Sequence, residues 1–127
     1  MPFSLDVDPN RALVLLRPDA PPSLQDWIDV IDRALAHPDY LSGFNFVSDR
    51  RHIADPPSKE YVRGSIEALV ARRERLGPEC RVAVVTSHDA PFGMARMAEA
   101  YAEPRAVEFR GFRDYDAAIA WATGRED

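Results

Sequence analysis

The chain has one cysteine, Cys80, among 127 residues. That excludes an intramolecular disulfide framework and any cysteine-rich zinc site. Long hydrophobic runs are missing too. The longest apolar stretch has six residues, Ala117 to Ala122, against the roughly 18 that a membrane-spanning helix needs. Glycine is sparse: six residues, scattered, with neither Gly-x-Gly-x-x-Gly nor a phosphate-loop pattern. Nucleotide binding through those devices is excluded. Basic charge is in deficit, 16 basic residues against 21 acidic for a net charge of −5. Proteins that hold nucleic acid by its backbone usually carry a basic excess, because phosphate neutralisation dominates that affinity. No nucleic-acid partner is expected. Lys59 is the only lysine, and alanine is abundant. Both read as codon bias of a GC-rich genome, not as arginine selected for phosphate. The N-terminal Met-Pro-Phe-Ser-Leu-Asp lacks a basic region followed by an apolar stretch. No signal peptide is expected, and the expected compartment is the cytoplasm.

What is present is an ordinary globular composition, 46% hydrophobic and 29% charged. A chain of this length buries about two-thirds of its unfolded surface, so one domain over residues 1–127 is expected. Eleven prolines punctuate it, each where a periodic segment begins or ends. Phe3-Ser-Leu-Asp-Val7 alternates apolar and polar, which predicts a strand. Asp8-Pro9-Asn10 turns the chain, and Ala12-Leu-Val-Leu-Leu16 predicts an antiparallel partner. Ser23 opens a helix, with Asp26 in capping-box position and Leu24, Trp27, Ile28, Ile31 and Leu35 on one face. Phe44-Asn-Phe-Val47 is a third strand, with Asp49-Arg50-Arg51-His52 just past its end. Ser58 caps a second helix running to about Leu76, stopped by Gly77-Pro78. Arg81 to Thr86 is a fourth, central strand. Pro91 sits in the first turn of a third helix that ends before Pro104. Ala106-Val-Glu-Phe109 is a fifth strand, and Asp114 caps a last helix ended by Gly124. The order ββαβαβαβα predicts an α/β domain: a mostly parallel five-stranded sheet, an antiparallel edge hairpin and four helices.

Few residues carry chemistry. Ser87-His88-Asp89 has the composition of a hydrolase triad, but triads converge from separated positions, and adjacent loop residues rarely face each other. No Gly-x-Ser-x-Gly elbow exists. The three histidines, His37, His52 and His88, show no metal-binding spacing. No metal, cofactor or catalytic residue is expected. Arg72, Arg73 and Arg75 end the second helix, where cations complement its dipole; contact with a membrane surface is the lesser alternative at this net charge. Arg50, Arg51 and Arg96 can assist an anion at a helix start, or simply pair with acids. Met94, Met97 and Tyr101 recur at helical spacing behind Phe92. Such a stripe either packs on the sheet or lines an apolar pocket.

Three segments, in order, resemble a known family. They are Gly43-Phe-Asn-Phe-Val-Ser-Asp-Arg-Arg51, Arg81 to Thr86 leading into Phe92-Gly-Met-Ala-Arg-Met97, and Val107-Glu-Phe109 followed by Asp116-Ala-Ala-Ile-Ala-Trp121. With the element order they resemble the STAS domain of bacterial anti-sigma-factor antagonists and the small STAS-like proteins distantly related to CRAL-TRIO lipid-transfer domains. The resemblance implies a bacterial, non-enzymatic module. The antagonists' phosphorylated serine is not matched, since the chain reads Ser48-Asp49-Arg50-Arg51 there. The expectation is therefore binding of a small, partly apolar or lipid-like ligand beyond the carboxyl ends of the strands. Its expected site is Asp49, Arg51, His88, Phe92, Met94, Arg96 and Met97, with Arg51 or Arg96 on an anionic head and the methionines as walls. The alternative is a protein-interaction regulator, meeting a kinase-like anti-sigma factor or a second copy of itself as a homodimer. An enzyme built on Asp49, His52 and His88 is the third reading.

Overall fold

The computed structural model describes residues 2–124. Strands β1 (Phe3–Asp8) and β2 (Leu13–Pro18) form an antiparallel hairpin. Asp8 holds its turn, accepting from the Asn10 N–H at 3.0 Å and from Arg11 Nε at 2.7 Å. The chain continues through α1 (Leu24–Leu35), β3 (Asn45–Asp49), α2 (Lys59–Ala71), α3 (Arg73–Leu76), β4 (Arg81–Val85) and α4 (Asp89–Ala102). A 3-10 turn (Glu103–Arg105), β5 (Glu108–Phe112) and α5 (Tyr115–Ala122) complete it. The sheet order is β1-β2-β3-β4-β5, parallel from β2 onward. The α/β class, the five strands and the antiparallel edge are as the alternation predicts.

Strands in sequential order, joined by crossovers of one hand, put every crossover helix on the same face. The packing follows. One core layer joins Trp27, Val30 and Ile31 of α1, Ile66 and Leu69 of α2 and Ala98 and Ala102 of α4 to Val14, Leu16, Phe46 and Val82 of the sheet. The second layer lies on the other face, where Ala118, Ile119 and Trp121 of α5 cover Leu13, Val47, Ala83, Val85 and Phe112. Side chains alternate between the two layers along every strand. Caps set the helix starts. Ser23 and Asp26 form a capping box, and the Ser58 and Asp114 side chains accept from the N–H groups of Tyr61 and Asp116.

Three boundaries depart from the sequence-based expectation. The described residues hold five α-helices, not four. The second predicted helix breaks at Arg72, whose φ of −109° and ψ of 16° leave the helical range. Its N–H bonds the Leu69 carbonyl, three residues back, while its guanidinium grips Asp32 of α1 at 2.6 and 3.1 Å. Strand β5 starts at Glu108 because Ala106, at φ 57°, closes the 3-10 turn in the left-handed region. It then runs through Gly111 to Phe112. Asp49 belongs to β3 itself, paired with Val85, instead of lying past its end.

Gly111 lets α4 approach the edge strand. A Cβ there would lie 2.8 Å from the Ala95 Cβ, and the Gly111 N–H donates to Glu99 Oε2 at 2.7 Å. Gly93, in the same helix, has nothing within 4 Å of a Cβ. Gly111→Val is expected to destabilise the fold by about 1–3 kcal/mol through overpacking, whereas Gly93→Ala should stabilise it by up to about 1 kcal/mol. Urea unfolding midpoints of the two variants check this contrast.

Candidate functional site

Strand alternation sends two adjacent arginines in opposite directions. Phe46 and Ser48 of β3 face the three-helix layer, and Arg50 continues their register. Val47 and Asp49 face α5, and Arg51 follows them. The two guanidiniums therefore enter different environments.

Arg51 joins a closed ion cluster. Its Nε and Nη2 donate to Asp49 at 2.9 and 2.8 Å, and Arg17 Nη1 reaches the same carboxylate at 3.3 Å. The Arg51 guanidinium stacks 4.4 Å from the Tyr115 ring centroid. Asp49 is buried. The hydrogen bonds from Arg51 hold its carboxyl below the ordinary 3.8, against the opposing effect of burial.

Arg50 has no such partner. Its Nε donates to Ser48 Oγ at 3.1 Å and its Nη2 to the Tyr61 hydroxyl at 2.7 Å. The Phe3, Trp27 and Tyr61 rings surround it at 5.9, 5.5 and 5.4 Å from its Cζ. Among the described residues no carboxylate forms an ion pair with it. Beside it lies a cavity with about 70 Å³ open to the centres of water-sized molecules. Trp27, Val62, Val84, Met94, Ala98 and Phe109 wall it, and Pro21, Pro22, Asp55 and Pro57 form its rim. The cavity sits at the carboxyl edge of the sheet, where open α/β sheets place ligands. Two loops meet there. His52 Nε2 lies 2.6 Å from the Pro18 carbonyl; a carbonyl only accepts, so Nε2 carries the proton.

The expected site residues divide among three places. Asp49 and Arg51 lie on the α5 face. Met94 alone lines the cavity. His88 caps α4 with no side-chain hydrogen bond to the helix. Phe92 lies beside Arg113 and Arg96, 4.8 and 6.0 Å from its ring centroid. Arg96 pairs with Glu99 at 3.4 Å, and Met97 is 39% exposed. Pro91, Ala95, Ala98 and Ala102 are the buried residues of α4, and Met94 and Tyr101 of the stripe pack partly buried against the same core. Arg50, Tyr61, Trp27 and Thr86 are the cavity residues that sequence reasoning left outside the site. The signal that points to Arg50 is parity with Phe46.

Asp89 pairs with Arg113, so Ser87-His88-Asp89 does not close on itself. Burial pushes the Cys80 thiol up to about 12, too high for a thiolate nucleophile at neutral pH. Among the described residues no three His, Cys, Asp or Glu side chains gather as metal ligands, and no helix is long and apolar enough to cross a membrane. No family model matches the chain, and no curated protein or solved structure matches it significantly.

The lowered carboxyl of Asp49 has a pH consequence. The native state holds fewer protons there than the unfolded chain. Its contribution to stability is complete above the unfolded value and fades as pH falls through the folded one. The gap in urea midpoint between wild type and Asp49→Asn should be full at neutral pH and shrink below about pH 4. A gap independent of pH contradicts this assignment.

Proposed function

We propose that the chain is a non-enzymatic module of STAS-like architecture that binds a small, partly apolar ligand carrying an anionic end. One observation carries the reading: Arg50 presents to an apolar cavity a guanidinium that has no carboxylate ion-pair partner among the described residues. An isolated charge beside an apolar wall is costly unless something balances it. A bound anion does so, while the walls cover its hydrocarbon part. The ordering of elements and the position at the carboxyl edge support the same reading. So does the chemistry of the wall. Tyr61 is committed to Arg50, Ser65 Oγ donates to the Val62 carbonyl at 2.8 Å, and Thr86 Oγ1 accepts from the His88 N–H at 3.4 Å. None of these hydroxyls has an imidazole or carboxylate as base among its recorded partners, which suits holding more than transforming.

The test is native mass spectrometry of protein purified from its source cell, with thermal shift against a panel of short organic acids. A co-purifying mass, or a rise in melting temperature with some acids, is expected. Val84→Phe, which places a ring inside the cavity, should abolish the shift without unfolding the chain. No bound mass together with no shift from any acid sinks the reading.

A further inference from the structure

We infer that the Arg50 cavity selects a compact monocarboxylate with a flat aromatic or short branched body, over neutral isosteres and over dianionic phosphates. This deepens the reading above and rests on it. Four observations define the ligand.

The first is the donor set. A guanidinium has five N–H groups in a planar fork. In Arg50 one goes from Nε to Ser48 and one from Nη2 to Tyr61. Nη1 has no partner among the described residues, yet no buried side-chain nitrogen there lacks one. Nη1 is therefore open to solvent, and Arg50 lines the cavity. A carboxylate accepts from Nη1 and the remaining Nη2 proton side by side, the strong bidentate form.

The second is rigidity. The stacked rings and two hydrogen bonds hold the fork in place, so little side-chain entropy is lost on binding. The third is charge. One cation balances one negative charge. A dianion would leave a second charge uncompensated in an apolar chamber, and Asp55 on the rim adds repulsion. The fourth is size. The 70 Å³ of open space corresponds to about five to seven water-sized groups. That suits a ring or a short branched chain rather than a full acyl chain. Trp27, Phe109 and the deformable Met94 offer it flat and adaptable contact.

The experiment titrates the folded chain with benzoate, benzyl alcohol, phenyl phosphate at mildly alkaline pH, and palmitate. Tryptophan fluorescence, in the Trp121→Phe background so that Trp27 alone reports, and heat of binding are recorded. Benzoate is expected to bind about ten- to a hundredfold more tightly than benzyl alcohol, from the worth of hydrogen bonds to a charged group. Phenyl phosphate and palmitate should bind more weakly than benzoate. Arg50→Met should lower benzoate affinity to that of benzyl alcohol, while Arg51→Ala leaves it unchanged. Should Arg50→Met fail to fold, Arg50→Lys serves, because it keeps the charge and loses the fork; it too should weaken benzoate. Benzyl alcohol or phenyl phosphate binding as tightly as benzoate overturns the monocarboxylate assignment while leaving a ligand-binding cavity standing. Palmitate binding best overturns the size argument. If none of the four binds, this inference falls, and the thermal-shift panel decides the broader reading separately.

Discussion

The structure turns on the two-residue repeat of β3. Phe46, Ser48 and Arg50 belong to one face of the sheet, Val47, Asp49 and Arg51 to the other. Helices cover both faces, so Arg50 is half-buried, while Arg51 keeps its side chain 43% exposed at the margin of the α5 face. Each must be satisfied locally, and the two are satisfied differently. Arg51 meets an acid two residues before it and a ring from α5. Arg50 meets three rings and two hydroxyls, which ease its desolvation without neutralising its charge. A single-residue slip of β3 would exchange their roles. It would also bury Asp49 among aromatic groups, which is why the register is strongly specified.

The sequential order of strands makes the rest follow. Because α1, α2 and α4 share a face, the sheet's carboxyl edge on that face is bordered by loops from three crossovers. Those loops cannot all close tightly over the strand ends. Prolines 21, 22 and 57 line the cavity from two of them and bring no N–H group that would need a partner there. The gap they leave is the cavity. On the opposite face one helix of eight residues covers residues of four strands. There Arg17 and Arg51 pair with Asp49 beside a shallow cleft that Leu15, Val47 and Tyr115 also line.

Much of this was legible in the sequence. Period-2 alternation located the hairpin, apolar runs located β3 and β4, and Ser23, Ser58 and Asp114 marked three helix starts by their ability to accept from free N–H groups. The misses have physical causes. Arg72 is a good helix former, and only its distant partner Asp32 explains the break. The sequence pattern ends the fifth strand at Phe109 and assigns Gly111 no role. Here it is the space that Ala95 occupies. The methionine stripe is split: Met94 and Tyr101 pack partly buried against the core and Met94 also lines the cavity, while Met97 turns outward, because helical spacing does not fix how deep each position lies. The most deeply buried positions of α4 are small, Ala95, Ala98 and Ala102, where the helix lies close on the sheet. Nearness to strand ends groups Arg50 with Arg51, and only the parity of the strand sends the two guanidiniums to different faces.

Fold and site are coupled through the same few atoms. Ser48 is fully buried, and Arg50 Nε donates to its hydroxyl oxygen. Loss of Arg50 would leave that oxygen without this donor, at a cost of about 1–3 kcal/mol if nothing replaces it. It would also free the Tyr61 hydroxyl, near the start of α2, from its guanidinium donor. The guanidinium thus joins β3, α1 and α2 at the point where the cavity opens. A ligand carboxylate that engages Arg50 acts on this junction as well as on the cavity. On the reading proposed above, binding at Arg50 would tighten the contact between α1 and α2, because Trp27 and Tyr61 of those helices both pack on its guanidinium.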